Sequence, residues 1–173
     1  GQPAGTQPFV LKKDPRVPAT QEDFDKQLLL SLQIRDKVTQ ANEAVIRIRD
    51  TRKQIDDFVA RAASIKEAAK AVEAGKKLSK DLTAVEEELY QTKNQSNQDP
   101  LNYPIKLNNK LAALLGVVQN NDGPPTVQAN QTFEDLASKA NAQLKKLDAL
   151  MAGDVASFNK LVRDAQVPAV IVR

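Results

Sequence analysis

From Gln21 to about Ala63 the chain contains neither glycine nor proline, and its apolar residues keep a strict rhythm. Ile34, Val38, Ala41, Val45, Ile48, Ile55, Val59 and Ala62 alternate steps of three and four, with one gap at Arg52. A 3.5-residue period sustained over four heptads is the seam of a coiled coil. An arginine in that seam has to snorkel to water or meet a carboxylate. The preceding stretch FDKQLLLSLQI is apolar over a wider arc and predicts more burial than the seam itself. At 1.5 Å per residue the helix is about 60 Å long, whereas a globule of this size has a radius of gyration near ~16 Å. The domain must be elongated, or the helix must break near TQANEA.

The start of this helix is marked. Thr20 and Asp23 form a capping-box pattern, in which the Thr20 hydroxyl accepts from the Asp23 amide and the Asp23 carboxylate answers the Thr20 amide; losing such a cap typically costs ~1 kcal/mol. Upstream, Pro3, Pro8, Pro15 and Pro18 exclude a helix over residues 1–19. This region reads as an extended arm or linker, or, through PFVLKK, as the last strand of a preceding domain. The opening GQPAGTQPF has the look of a cut inside a longer protein or of a processed start.

A second helix is expected from about Ser64 to Thr92, with Ile65, Ala68, Val72, Leu78, Leu82, Val85 and Leu89 on its apolar face. Its rhythm slips at Gly75, which marks a kink, a close approach to a neighbouring helix, or an ordinary tolerated glycine. NQSNQDP forms a polar loop ending at Pro100. Pro104 suits the first turn of a third helix, whose face is Leu107, Leu111, Leu114 and Val118. Tyr103 is placed to staple its entry with the ring buried and the hydroxyl wet. Of the adjacent Asn108 and Asn109, at most one faces the core; the expectation is that it bonds the backbone of the NQDPLNY loop, since a buried amide needs partners. NNDGPP is a turn. Thr126 then opens a fourth helix with Phe133, Ala137, Ala140, Leu144, Leu147 and Met151 on one face. Gly153 and Asp154 stop and recap it, leaving a short helical face of Val155, Phe158, Val162 and Ala165. VPAVIVR closes the chain as a β-branched extended tail. The organisation is therefore an arm over 1–19, an all-α elongated antiparallel bundle of four to five helices over 20–166, and a tail over 167–173.

Chemistry is sparse. The absence of Cys and His removes disulfides, thiolate nucleophiles, imidazole bases and ordinary zinc sites. No cofactor motif is present, and no apolar run reaches the ~18 residues of a membrane span. The formal charge of +3 with five Phe, two Tyr and no Trp argues against nucleic acid, because no basic run alternates with stacking aromatics. Ser157 and Lys160 have an S-x-x-K spacing without the companion signatures of an acyl-transfer site. Asp122 lies in NNDG without the alternating acids of a calcium loop. Asp56 and Asp57, and Glu86, Glu87 and Glu88, read as solvated helix faces among lysines. Asn94 and Asn130 open glycosylation sequons. The sequence thus predicts no catalytic, cofactor or metal residue, and assigns structural roles to Thr20, Asp23, Arg52, Tyr103, Pro104, Asn108, Asn109, Gly153 and Asp154.

Asp14-Pro15-Arg16, YPIKLNNKL from Tyr103 to Leu111, DGPP from Asp122 to Pro125 and GDVASFN from Gly153 to Asn159, set in order from Lys12 to the carboxyl end, carry a likeness. The chain resembles the C-terminal helical region of bacterial sortilin-like, BNR-repeat (sialidase-like) β-propeller proteins. The resemblance implies an exported protein, secreted or periplasmic, in which this region follows the propeller and a small β-sandwich. Its partners would be those upstream domains, or a second copy. It implies a non-catalytic accessory role, with any sugar chemistry in the propeller. The alternative is a stand-alone partner-binding or dimerisation module that uses the Ile34 to Ala62 seam as its docking face.

Overall fold

The computed structural model describes residues 5–96 and 98–167, and among them there is helix and no strand. Helix α1 (Gln21–Ala62) is unbroken over 42 residues, so TQANEA is not a hinge. A 3₁₀ turn (Lys66–Ala68) leads into α2 (Ala69–Leu89). A second 3₁₀ turn (Asp99–Leu101) lies in the loop before α3 (Leu107–Gln119). Helix α4 (Val127–Ala149) continues through a π-helical turn (Leu150–Asp154) into α5 (Val155–Asp164).

The cross-chain bonds fix the topology. Arg52 reaches Thr83 and Glu86, and Gln27 donates to the Val118 carbonyl, so α2 and α3 both run antiparallel to α1, end to end. Lys37 meets Asn141, Arg47 meets Asp148 and Phe58 meets Phe158, so α4 and α5 run parallel to α1. The fold is an elongated bundle of three parallel-packed rods, up, down and up, whose middle rod is interrupted. Ile34, Ala41, Val45, Ile48, Ile55 and Ala62 are buried along the whole seam. Leu78, Leu82, Leu89, Leu111, Val118, Ala140 and Leu147 close on it from the other rods.

Local chemistry explains the ends. The Asp23 amide donates to Thr20 Oγ1 at 3.2 Å and the Thr20 amide donates to Asp23 Oδ2 at 2.8 Å, the reciprocal cap of α1. Thr126 caps α4 by accepting from the Ala129 amide at 3.1 Å. At Gly75 the helices come close: a β-carbon there would lie 2.7 Å from Val59 Cγ2 and 3.0 Å from Phe158 Cε2.

Three expectations are corrected. Gly153 and Asp154 neither stop nor recap a helix; the backbone stays helical and no Asp154 side-chain cap forms. The apolar face persists on both sides, with Met151, Val155 and Phe158 packed on the core, so ending the rod there would uncover it; a π turn absorbs the glycine instead. Pro104 is not in a first turn, because α3 begins at Leu107 with Lys106 at its N-cap. The segment FDKQLLLSLQI is not more buried than the seam: Leu30 and Ile34 are inside, but Leu28 and Leu29 are 58% and 59% exposed. A bundle three rods thick leaves the outward side of each rod bare. In the arm, Phe9, Val10 and Leu11 are exposed. The arm is shaped by a turn in which the Asp14 carbonyl accepts from Val17 and the Asp14 carboxylate from Arg16. Of the expected tail, Val167 packs against the core; the remainder lies outside the described residues.

Two outcomes test this packing. Gly75→Ala gains helix propensity but forces Val59 and Phe158 aside, and should lose about 1 kcal/mol or more in chemical denaturation. Gly153→Ala, with open space around it, should gain roughly 0.5–1 kcal/mol; equal gains for both would refute the close approach. The Asp23 carboxyl is held below its ordinary pKa by the Thr20 amide and then by the Thr20 hydroxyl. Its contribution is therefore complete above the unfolded-state value and lost as pH falls through the lower folded-state value. Asp23→Asn should flatten the acid limb of a thermal-melt pH profile.

Candidate functional site

Among the described residues the interior holds one charged cluster. Glu86 is 1% exposed, in register with Leu82 and Leu89 on α2. Its Oε1 accepts from Arg49 Nε at 2.6 Å and its Oε2 from Arg52 Nη1 at 2.7 Å. Arg52 Nη1 also donates to Thr83 Oγ1, and Thr83 donates to the Ser79 carbonyl. The Arg49 guanidinium lies 4.9 Å from the centre of the Tyr90 ring. Arg52 therefore meets a carboxylate, and the expectation that Glu86 is solvated is corrected; Glu87 and Glu88 do face water. The gap at Arg52 was the available signal, since a cation in a seam calls for an acid at the facing position. Both Glu86 oxygens are taken, which makes this a closed clamp rather than a site that receives a ligand.

The loop between the middle helices is clasped from Gln91. Gln91 Nε2 donates to the Pro104 carbonyl at 2.8 Å and its Oε1 accepts from the Lys93 amide. The Asp99 carboxylate accepts from the Gln95 and Ser96 amides and from the Ser96 hydroxyl, and those bonds hold it below the ordinary carboxylate pKa. Neither asparagine plays the expected part. Asn108 is buried but donates to Asn42 Oδ1 on α1 and accepts from the Asn109 amide, while Asn109 is exposed. The reason is position: Asn108 lies on the α1-facing side of α3, and Gln91 is already bonded to the loop. Tyr103 is not a buried staple, because the residue is 38% exposed, with Lys93 Nζ 5.9 Å from its ring centre. A shallow hollow of about 380 Å³ beside this loop is lined by Glu87, Gln91, Lys93 and Tyr103.

Reactive groups do not converge. Ser157 is exposed, and Lys160 Nζ is bonded to Asp164 at 3.1 Å rather than to Ser157. Asp122 is exposed in the α3–α4 turn, and among the described residues no three His, Cys, Asp or Glu are grouped to hold a metal ion. Asp57 pairs with Lys53 on the α1 surface. No helix of the described residues is long and apolar enough to cross a membrane.

The surface feature that stands out is apolar. Leu28, Leu29 and Leu32 lie on neighbouring positions of α1, within three turns of the arm, and are exposed. Gln27, bonded to the end of α3, brings the exposed Val117 to the same end of the rod. Phe9, Val10 and Leu11 on the adjoining arm add to the apolar character of this end. The arrangement offers contact area and no reacting group.

Comparison with family models, with curated proteins and with solved structures returns no match. The likeness to sortilin-like propeller proteins therefore rests on the sequence motifs alone.

Removing one partner of the clamp should be costly in one direction. Glu86→Ala leaves Arg52 facing the interior and should lose about 2–4 kcal/mol in denaturant titration. Arg49→Gln should lose less than about 1 kcal/mol, because Arg49 is half exposed and has water as an alternative.

Proposed function

We propose that this chain is a non-catalytic helical accessory domain at the carboxyl end of an exported BNR-repeat, sortilin-like β-propeller protein, where it packs on or presents the propeller. The observation that carries this reading is the apolar end face. A cluster of three exposed leucines on a helix otherwise patterned for a bundle is unfavourable in water and suits a covering partner. The polypeptide on the amino-terminal side of the arm is the partner nearest at hand, since the arm joins α1 only a few residues before Leu28. The family in this reading rests on the resemblance carried by the motifs from Asp14 to Asn159.

The stand-alone alternative changes its surface. The seam from Ile34 to Ala62 is covered by α2, α3, α4 and α5, so a dimerising or partner-binding module would have to use the leucine face instead. Sedimentation of the isolated chain separates the two readings: a monomer fits the accessory domain, and a tight dimer abolished by Leu28→Ser with Leu32→Ser fits the alternative.

The direct test is the natural size and place of the polypeptide. Antibody to this chain should detect, in exported fractions, a species far larger than 19.0 kDa; a 19.0-kDa species confined to the cytoplasm overturns the proposal. In the isolated chain Leu28→Ser with Leu32→Ser should change stability by less than about 1 kcal/mol, because both are exposed already. In the larger polypeptide the same pair should speed proteolysis of the arm.

A further inference from the structure

The end of the rod opposite the arm carries a different chemistry. From Lys66 to Lys80 five lysines stand with two carboxylates, Glu67 and Glu73, an excess of three that equals the excess of the whole chain. Lys66, Lys70, Lys76, Lys77 and Lys80 are all exposed. Elsewhere several exposed lysines are matched along their helices, as Lys26 is with Glu22, Lys53 with Asp57 and Lys139 with Asp135, while Lys110, Lys145 and Lys146 stand singly or in a pair. Here the spacing is mixed: Lys77 has Glu73 four residues before it and Asp81 four after. Lys66 and Lys70, and Lys76 and Lys80, are like charges four residues apart, a pairing that weakens a helix. None of the five has a hydrogen bond or ion pair within the described chain.

Geometry selects the partner. Helix α2 turns Ala71, Gly75, Leu78 and Leu82 inward, so Lys70, Lys76, Lys77 and Lys80 occupy its outward side over about 15 Å of rise. That side has no aromatic residue and only a shallow hollow of about 270 Å³ lined by Lys70, Glu73, Ala74 and Lys77. A single-stranded nucleic acid needs a channel and stacking platforms, and neither is there. A plane of lipid headgroups needs only a row of cations able to touch it together.

We propose that this lysine face adsorbs to an anionic bilayer surface, with the ammonium groups resting among lipid phosphates and no part of the chain inserted. The inference stands on charge and shape and is independent of the accessory-domain reading. The full chain is mixed with vesicles of phosphatidylcholine holding about one-third phosphatidylglycerol at about 0.05 M salt, and bound protein is measured by vesicle sedimentation. Binding is expected, absent on pure phosphatidylcholine and lost by about 0.5 M salt. Each lysine near such a surface strengthens binding by roughly five-fold. Replacing Lys70, Lys76, Lys77 and Lys80 by Gln should therefore weaken it by about a hundred-fold or more, with the circular dichroism spectrum unchanged. Lys12→Gln with Lys13→Gln, at the other end, should weaken it by no more than a few-fold. No binding at low salt, equal binding by the four-lysine variant, an equal loss in the arm variant, or tighter binding to duplex DNA than to the charged vesicles would each overturn the proposal.

Discussion

A helix of 42 residues with a continuous apolar stripe cannot be covered by any single shorter partner. That constraint arranges everything else. The stripe on α1 has to be hidden over its whole length, and the remaining chain supplies two further rods: α4 with α5 as one, and α2 followed by α3 as the other. The middle rod pays for its interruption with a loop, and the loop is not free. Gln91 at the end of α2 holds Pro104 just before α3, and Asp99 gathers the amides between. Two short helices thereby stay in line beside one long one.

Alignment of three such rods is a separate problem from their formation. A stripe with a 3.5-residue period matches its partner almost equally well after a slide of one heptad. Features that do not repeat have to choose. Arg52 interrupts the α1 seam where Glu86 interrupts the α2 face, and the two meet at 2.7 Å. Any slide would leave a cation and a carboxylate in the interior without each other, at a cost of several kcal/mol. Gly75 adds a second choice, since only there can Val59 and Phe158 come so close to the α2 backbone. A buried pair of this kind contributes little net stability against apolar residues of like shape; its effect is to single out one alignment.

Much of this was legible from residue spacing, and the exceptions share a cause. The α1 seam, the Thr20–Asp23 cap and the face of α3 follow from periods of three and four and from hydrogen-bonding capacity within one turn, which are local properties; on α4 the buried side is turned toward Leu136, outside the expected face. Arg52 could be seen to need a carboxylate, but which one depended on how α2 lies against α1. Glu86, hidden in a run of three glutamates, looked solvated because its neighbours are. Gly153 looked like a stop because glycine usually ends a helix, yet packing on both sides carried the rod through. Leu28, Leu29 and Leu32 looked buried because leucine usually is, and nothing in the sequence counts the rods at that end. Tyr103 and Asn108 were assigned to the loop by proximity along the chain, whereas Gln91 reaches it from the helix before.

With the interior filled by apolar side chains and one closed ion cluster, a molecule of this shape has only its outside and its ends to act with. The two ends differ. Near the arm the exposed side chains include leucine, valine and phenylalanine; beyond the α1–α2 turn they include five lysines without a partner among the described residues. Apolar contact gains with every area of water it excludes and holds its geometry at any salt. Charge contact through exposed lysines is weak, long in reach and erased by salt. The uninterrupted α1 holds the two surfaces apart: from Leu32 to the level of Val59, where Gly75 of the lysine-bearing helix packs, the rod rises about 40 Å.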